Sequence, residues 1–233
     1  MTNVNKKLSQ VSVEKVLALS IMVYETFGFV RSNQGYYKEL EDGTLVKIND
    51  SKTELLGFID QDVEPSAEHI KLANEILEKF NQKYMVKKLS GGLTSFEKNV
   101  ANAFSTDKLT SFDVAILASI PNMNEVDKKR QEVDDIIEGV RFTSSYFGAV
   151  RERYELVVKV VDCKYIQASG VYMITTLREQ QDIIKFWWRD QPDLSDIIEG
   201  RELMIRGTVN RHEKGRFSGA QETMMNRVKI LSN

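Results

Sequence analysis

The sequence predicts an α+β protein: a mainly helical N-terminal module followed by a C-terminal five-stranded β-barrel. Two changes along the chain carry this reading. Up to about residue 139, apolar residues recur at helical spacing. From Gly139 onward come five β-like runs rich in Val, Ile, Thr and aromatics: YELVVKVVDCKYI, VYMITTLR, DIIKFWW, ELMIRGTV and TMMNRVKIL. The charge changes at the same place. Residues 1–139 carry 17 Lys and Arg against 22 Asp and Glu, whereas residues 140–233 carry 15 against 12. An acidic front and a basic back imply modules with different partners, although ordinary surface variation also gives asymmetries of this size. The expected organisation is a helical module with a β-hairpin over residues 1–123, a charged linker helix over 124–139 and the barrel over 140–233.

In the first module, Ser12 caps a helix in which Val13, Val16, Leu17, Ile21 and Tyr24 share a face, and Gly28 ends it. Tyr37 to Leu40 and Leu45 to Ile48 flank an Asp42-Gly43 turn, a local hairpin signal. Pro65 and Ser66 open a long helix with Ile70, Ala73, Ile76, Leu77 and Phe80 on one side, interrupted at Ser90-Gly91-Gly92. Shorter helices follow over Ser95–Phe104, with Thr94 or Ser95 as cap, and over Ser111–Ser119, closed by Pro121. The charged stretch from Asn124 to Glu138 places Val126, Val133, Ile136 and Ile137 along an amphipathic linker helix.

Composition excludes several classes. A hydrophobic content of 42% supports a packed core, and the single cysteine, Cys163, forms no internal disulfide. It reads as a small packed residue in a reducing compartment. The apolar stretch from Val16 to Val30 is interrupted by Tyr24, Glu25 and Thr26, so neither a membrane span nor a signal peptide is expected. The expected location is the cytoplasm, that of the host if the chain is phage-encoded. No phosphate loop, zinc-protease motif, nucleophile elbow or Cys-x-x-Cys occurs, so neither catalysis nor a cofactor is expected. His69 reads as a surface or packing residue, and His212 lacks companions for a metal.

Within the barrel, QPDLSDIIEG falls between the third and fourth strands and reads as a short helix or turn, with Asp193 or Ser195 as cap. Five strands with that irregular element are the order of an OB-fold, in which the loops between strands 1–2 and 4–5 flank the ligand groove. Those loops are expected at Lys164–Gly170 and Asn210–Gln221. Alternation puts Ile184, Phe186 and Trp188 inside the third strand, and Ile183, Lys185, Trp187 and Arg189 outside it. In the second strand it puts Val171, Met173 and Leu177 inside, leaving Tyr172, Ile174, Thr176 and Arg178 outside. The last hairpin then carries a cationic tip of Arg211, His212, Lys214 and Arg216 with Phe217. Aromatics beside cations are what a flexible single strand requires, since each stacked base is worth roughly 1–3 kcal/mol and Lys or Arg neutralises phosphate. Trp187 either stacks a base or covers a seam against the first module, and a one-residue bulge exchanges its role with that of Trp188.

The same stretch resembles OB-fold domains found in bacteriophage and bacterial replication or recombination proteins. Those domains carry a small-Tyr-x-Gly-x-x-Gly-x-Arg lead-in, matched by Tyr146, Gly148 and Arg153. They end on a Gly-Thr-Val-x-x-His and Gly-x-x-x-Thr-x-x-x-Arg hairpin, matched by Gly207, Thr208, Val209, His212, Gly219, Thr223 and Arg227. Arg151 stands where a second glycine is usual. The resemblance covers about 90 residues and implies single-stranded nucleic-acid binding; residues 1–139 resemble no family.

The leading expectation is a non-enzymatic single-stranded DNA-binding protein of replication, recombination or repair, with RNA also compatible. Its site residues are Tyr172, Arg178, Lys185, Trp187, Arg189, Arg211, His212, Lys214, Arg216, Phe217 and Arg227. Replication or recombination proteins are expected to dock on the acidic front half, since the closing KILSN carries no acidic run. Self-association as a homo-oligomer is compatible with the sequence. The alternatives are an OB-type interaction module that docks a helicase, polymerase or host factor, and a nuclease or nuclease accessory subunit. Pro192-Asp193 resembles the start of a nuclease motif, but no Glu-x-Lys strand follows it.

Overall fold

The computed structural model describes residues 8, 10–32, 34–39, 43–189, 199–216 and 218–231. The chain divides into two compact units, Met1–Asp127 and Lys128–Asn233. Phe217, Asp42 of the anticipated turn and the Pro192–Ser195 portion of the insert lie outside the described residues.

Local capping starts the helices of the first unit. The Ser12 side chain accepts the Lys15 N–H at the start of α1 (Val13–Phe27), and Gly28 closes it by donating to the Tyr24 carbonyl. Two short strands, β1 (Tyr36–Glu39) and β2 (Leu45–Ile48), pair antiparallel. Next comes α2 (Ser51–Asp60), a helix the sequence reading leaves out; Asp50 caps it and Leu55 and Ile59 bury its apolar side. Ser66 caps α3 (Ala67–Leu89), which buries Ala73, Ile76, Phe80 and Tyr84. Thr94 and Thr110 form capping boxes with Glu97 and Asp113 at α4 (Ser95–Ser105) and α5 (Ser111–Leu117). Pro121 sits in the first turn of α6 (Ile120–Val140), where its missing N–H costs no helical bond. Phe80 meets Tyr84 and Phe104 edge to face, with ring centroids 5.6 and 6.0 Å apart, at the centre of one apolar cluster. His69 is a packing residue on the surface, its ring held between Ser66 Oγ and Glu25 Oε2.

The second unit is a closed five-stranded barrel of β3 (Arg153–Ile166), β4 (Val171–Arg178), β5 (Asp182–Trp188), β6 (Glu202–Lys214) and β7 (Gln221–Leu231). Their order around the barrel is β3-β4-β5-β7-β6. β5 and β7 run parallel and every other pair antiparallel, which is an OB-like arrangement. The long β3 closes the barrel by pairing β6 along its first half and β4 along its second. A register shift between Val160 and Asp162 lets Val160 face the core while Val161 packs elsewhere. Leu156, Val158, Ile174, Ile184, Phe186, Ile205 and Met225 fill the interior.

The face assignment of the second strand is corrected by its register. Tyr172, Ile174 and Thr176 lie opposite Trp188, Phe186 and Ile184, and directly opposed residues share a face. Ile174 and Thr176 are accordingly in the interior row, and Met173, Thr175 and Leu177 stand outside. Alternation misleads here because the outer face of β4 is also covered at its Leu177 end. Val133, Ile137 and Val140 of α6 pack on Val161, Leu177, Ile183 and Ala220, giving the outer row an apolar end of its own. The last hairpin also differs from expectation: pairing continues to Lys214 opposite Gln221, so the turn is only Gly215–Ala220.

Candidate nucleic-acid interface

β5 turns Trp187 outward, and its side chain remains 46% exposed. Trp187 faces Met173 across β4, and Met173 faces the exposed Lys164 on β3. Arg189, two positions beyond Trp187, is exposed as well. Trp188 points the other way, into the row of the core, and its buried indole N–H has no hydrogen-bond partner among the described residues. Tyr172 lies opposite Trp188 and packs against Tyr165 with ring centroids 4.9 Å apart, so it joins the interior row at one end of the barrel. The predicted outer pair of Tyr172 and Trp187 is therefore split between two faces.

Several predicted cations are neutralised within the protein. Arg178 reaches Glu179 at 2.9 Å and Asp182 at 3.4 Å, and its guanidinium lies 4.6 Å from the centre of the Phe147 ring. Lys185 Nζ is 2.7 Å from Glu222, a carboxylate only 3% exposed. Arg211 pairs with Glu213 at 2.6 Å. Lys214 is exposed at the end of β6 and Arg216 is exposed in the turn. Arg227 is exposed at a register irregularity of the β6–β7 pair, with φ of 51°. Sequence reasoning missed Asp182 and Glu222, the two buried carboxylates that take up Arg178 and Lys185. An acid at the start of each apolar strand run was the available signal.

The residues that carry the OB resemblance bind one another. The rings of Tyr146 and His212 stack 4.7 Å apart at 10°. His212 Nε2–H donates to the Phe147 carbonyl at 3.1 Å, while the Phe147 N–H donates to Thr223 Oγ1 at 2.9 Å. Ser144 Oγ–H donates to the Gln221 carbonyl, and Ser145 binds Asp182 through both its N–H and its hydroxyl. The lead-in is thus clasped to β5, β6 and β7, and His212 is occupied by that clasp. Gly148 has φ of 67°, and a Cβ there would lie 2.6 Å from the Tyr154 ring. Arg151, the departure from the motif, adopts φ of 75°, the left-handed conformation a glycine would take.

Cys163 packs against the barrel interior, and burial, then the charges of Asp162 and Glu199, push its thiol above the usual range. That makes it a poor thiolate. Among the described residues, no cluster of three His, Cys, Asp or Glu side chains could hold a metal ion, and no helix is long and apolar enough to cross a membrane. No protein-family model, curated protein or solved structure matches this chain, so the OB-like barrel rests on its strand order and register alone.

Proposed function

We propose that the barrel binds single-stranded nucleic acid, DNA foremost with RNA compatible, across the outer face of β4, β5 and β7, in a replication, recombination or repair setting. The observation that carries this reading is Trp187: a large aromatic left 46% exposed on the outer face near the end of β5, opposite Met173 of β4. Its indole offers a base a stacking surface independent of sequence. Lys164, which faces Met173 across β3 and β4, Arg189, just past the end of β5, and Arg227, at the irregularity of β7, are all exposed and suit the phosphates of a bound strand. Lys214 and Arg216 extend the cationic rim at the hairpin. Tyr172 and His212 act in this account as supports of the barrel rather than contacts.

The first unit serves as the recruiting module. Met85, Val86 and Leu89 leave the end of α3 apolar and exposed, a surface suited to a protein partner.

Fluorescence anisotropy of a labelled oligothymidylate with the full chain, with and without Mg²⁺, tests the reading. Saturable binding that weakens with salt and leaves the oligonucleotide intact is expected. A folded protein that fails to bind at low salt supports the interaction-module alternative, and Mg²⁺-dependent shortening of the oligonucleotide supports the nuclease alternative.

A further inference from the structure

Glu222 stands on the outer face of β7, level with Ile183 of β5. Its carboxylate is almost wholly buried, and the Lys185 side chain that meets it at 2.7 Å is about four-fifths covered. The turn after β6 closes over the pair. Ser218 Oγ–H donates to Glu222 Oε1 at 3.4 Å and accepts the Ala220 N–H at 3.2 Å. A Cβ at Gly215 would collide with that same Oε1 and with Ser218 Oγ, so a side chain at 215 would have to displace the carboxylate and the hydroxyl from this contact.

A carboxylate removed from water persists as an anion only while it is paired and hydrogen-bonded. For a phosphate to recruit Lys185, it would have to leave Glu222 buried and uncompensated. A screened contact with a mobile strand cannot offset that cost.

We propose that Glu222 sets the phosphate count of the groove: it ties the Gly215–Ala220 turn to the strand floor and withdraws Lys185 from phosphate binding. This rests on the reading of the barrel as a single-strand binder. Lys185 of β5 is then charge-compensated by Glu222, and Arg211 of β6 pairs with Glu213. A bound strand is gripped there by its base faces, and its phosphates are met at the margins, by Lys164, Arg189 and Arg227. Glu222 is a positioning residue that favours stacking over backbone neutralisation.

The test is a salt series of oligothymidylate binding by the full chain. Glu222→Gln keeps the side-chain shape and an oxygen for Lys185 but releases its charge, so the slope of log K against log salt should steepen by about 0.7, the contribution of one phosphate on a single strand. Adding Lys185→Gln to that variant should return the slope to its starting value. An unchanged slope in a folded Glu222→Gln protein that still binds overturns the proposal and leaves the function standing. Absence of binding by the unaltered protein removes both. Should Glu222→Gln fail to fold, Lys185→Gln decides, because its amide still donates to Glu222. A slope equal to that of the unaltered protein is expected, and one shallower by about 0.7 overturns the proposal.

Discussion

In the helical unit, the polar contacts that start each element join near neighbours: Ser12 to Lys15, Asp50 to Thr53, Ser66 to His69, Thr94 to Glu97 and Thr110 to Asp113. In the barrel, the contacts that set the geometry of the site join residues far apart: Phe147 to Thr223, Ser144 to Gln221, Ser145 to Asp182 and Lys185 to Glu222. The contrast shows where information resides in this chain. A cap three residues from its partner is fixed by composition, whereas a cross-strand pair exists only once the register does, and register is settled by the packing of every strand at once. The helical unit should therefore be sensitive to local changes one at a time, and the barrel to any change that disturbs its shared core or clasp.

The largest effect expected on the barrel side is that of Phe186→Ala. This ring is fully buried at the centre of the barrel, and its loss should cost about 3–5 kcal/mol. Both tryptophans of the chain lie in β5, so tryptophan fluorescence during denaturant unfolding reads the barrel directly. A loss below about 1 kcal/mol would break the account of the core. Next comes Gly148→Ala, which combines a left-handed backbone with a clash against Tyr154 and should cost about 2 kcal/mol or more. Arg151→Gly runs in the opposite direction, relieving the left-handed conformation and stabilising the barrel by about 1 kcal/mol. A destabilised Arg151→Gly protein would show that the arginine side chain holds the lead-in.

The smallest effect lies on the helical side and depends on pH. The Lys87 ammonium, then the Thr94 backbone N–H, hold the Glu97 carboxyl down at about 2 from its ordinary 4.5. The folded state thus favours the carboxylate. Its stabilisation is full above about pH 4.5 and is lost as pH falls through about 2. An NMR titration of the Glu97 side chain should show the depressed value, and titration at the ordinary carboxyl pH would remove the capping box from the account.

The same contrast explains what was legible in the sequence. β4 and β5 begin and end where their β-branched and aromatic runs do, and the caps Ser12, Ser66 and Thr94 mark their helices. Helix α2 escaped because Lys52, Thr53 and Gly57 dilute its pattern, although Asp50 followed by Leu55, Leu56 and Ile59 was a usable signal. The outward position of Trp187 followed from alternation in β5. The inward position of Tyr172 did not follow from it, because α6 covers the outer Leu177 end of β4 and erases its polarity. The neutralisation of Lys185 was invisible for a different reason. Its partner lies 37 positions away, on a strand reached only through the parallel β5–β7 pair.

The central claim is that Trp187 is exposed because a base stacks on it. The direct measurement is the affinity of oligothymidylate for the full chain carrying Trp187→Ala or Trp187→Phe, beside thermal unfolding of each. The account predicts that Trp187→Ala loses about 1–3 kcal/mol of binding with an unfolding midpoint close to that of the unaltered protein, and that Trp187→Phe recovers most of the loss. Binding by Trp187→Ala equal to that of the unaltered protein, or a loss of binding that appears only together with a loss of the fold, would contradict it.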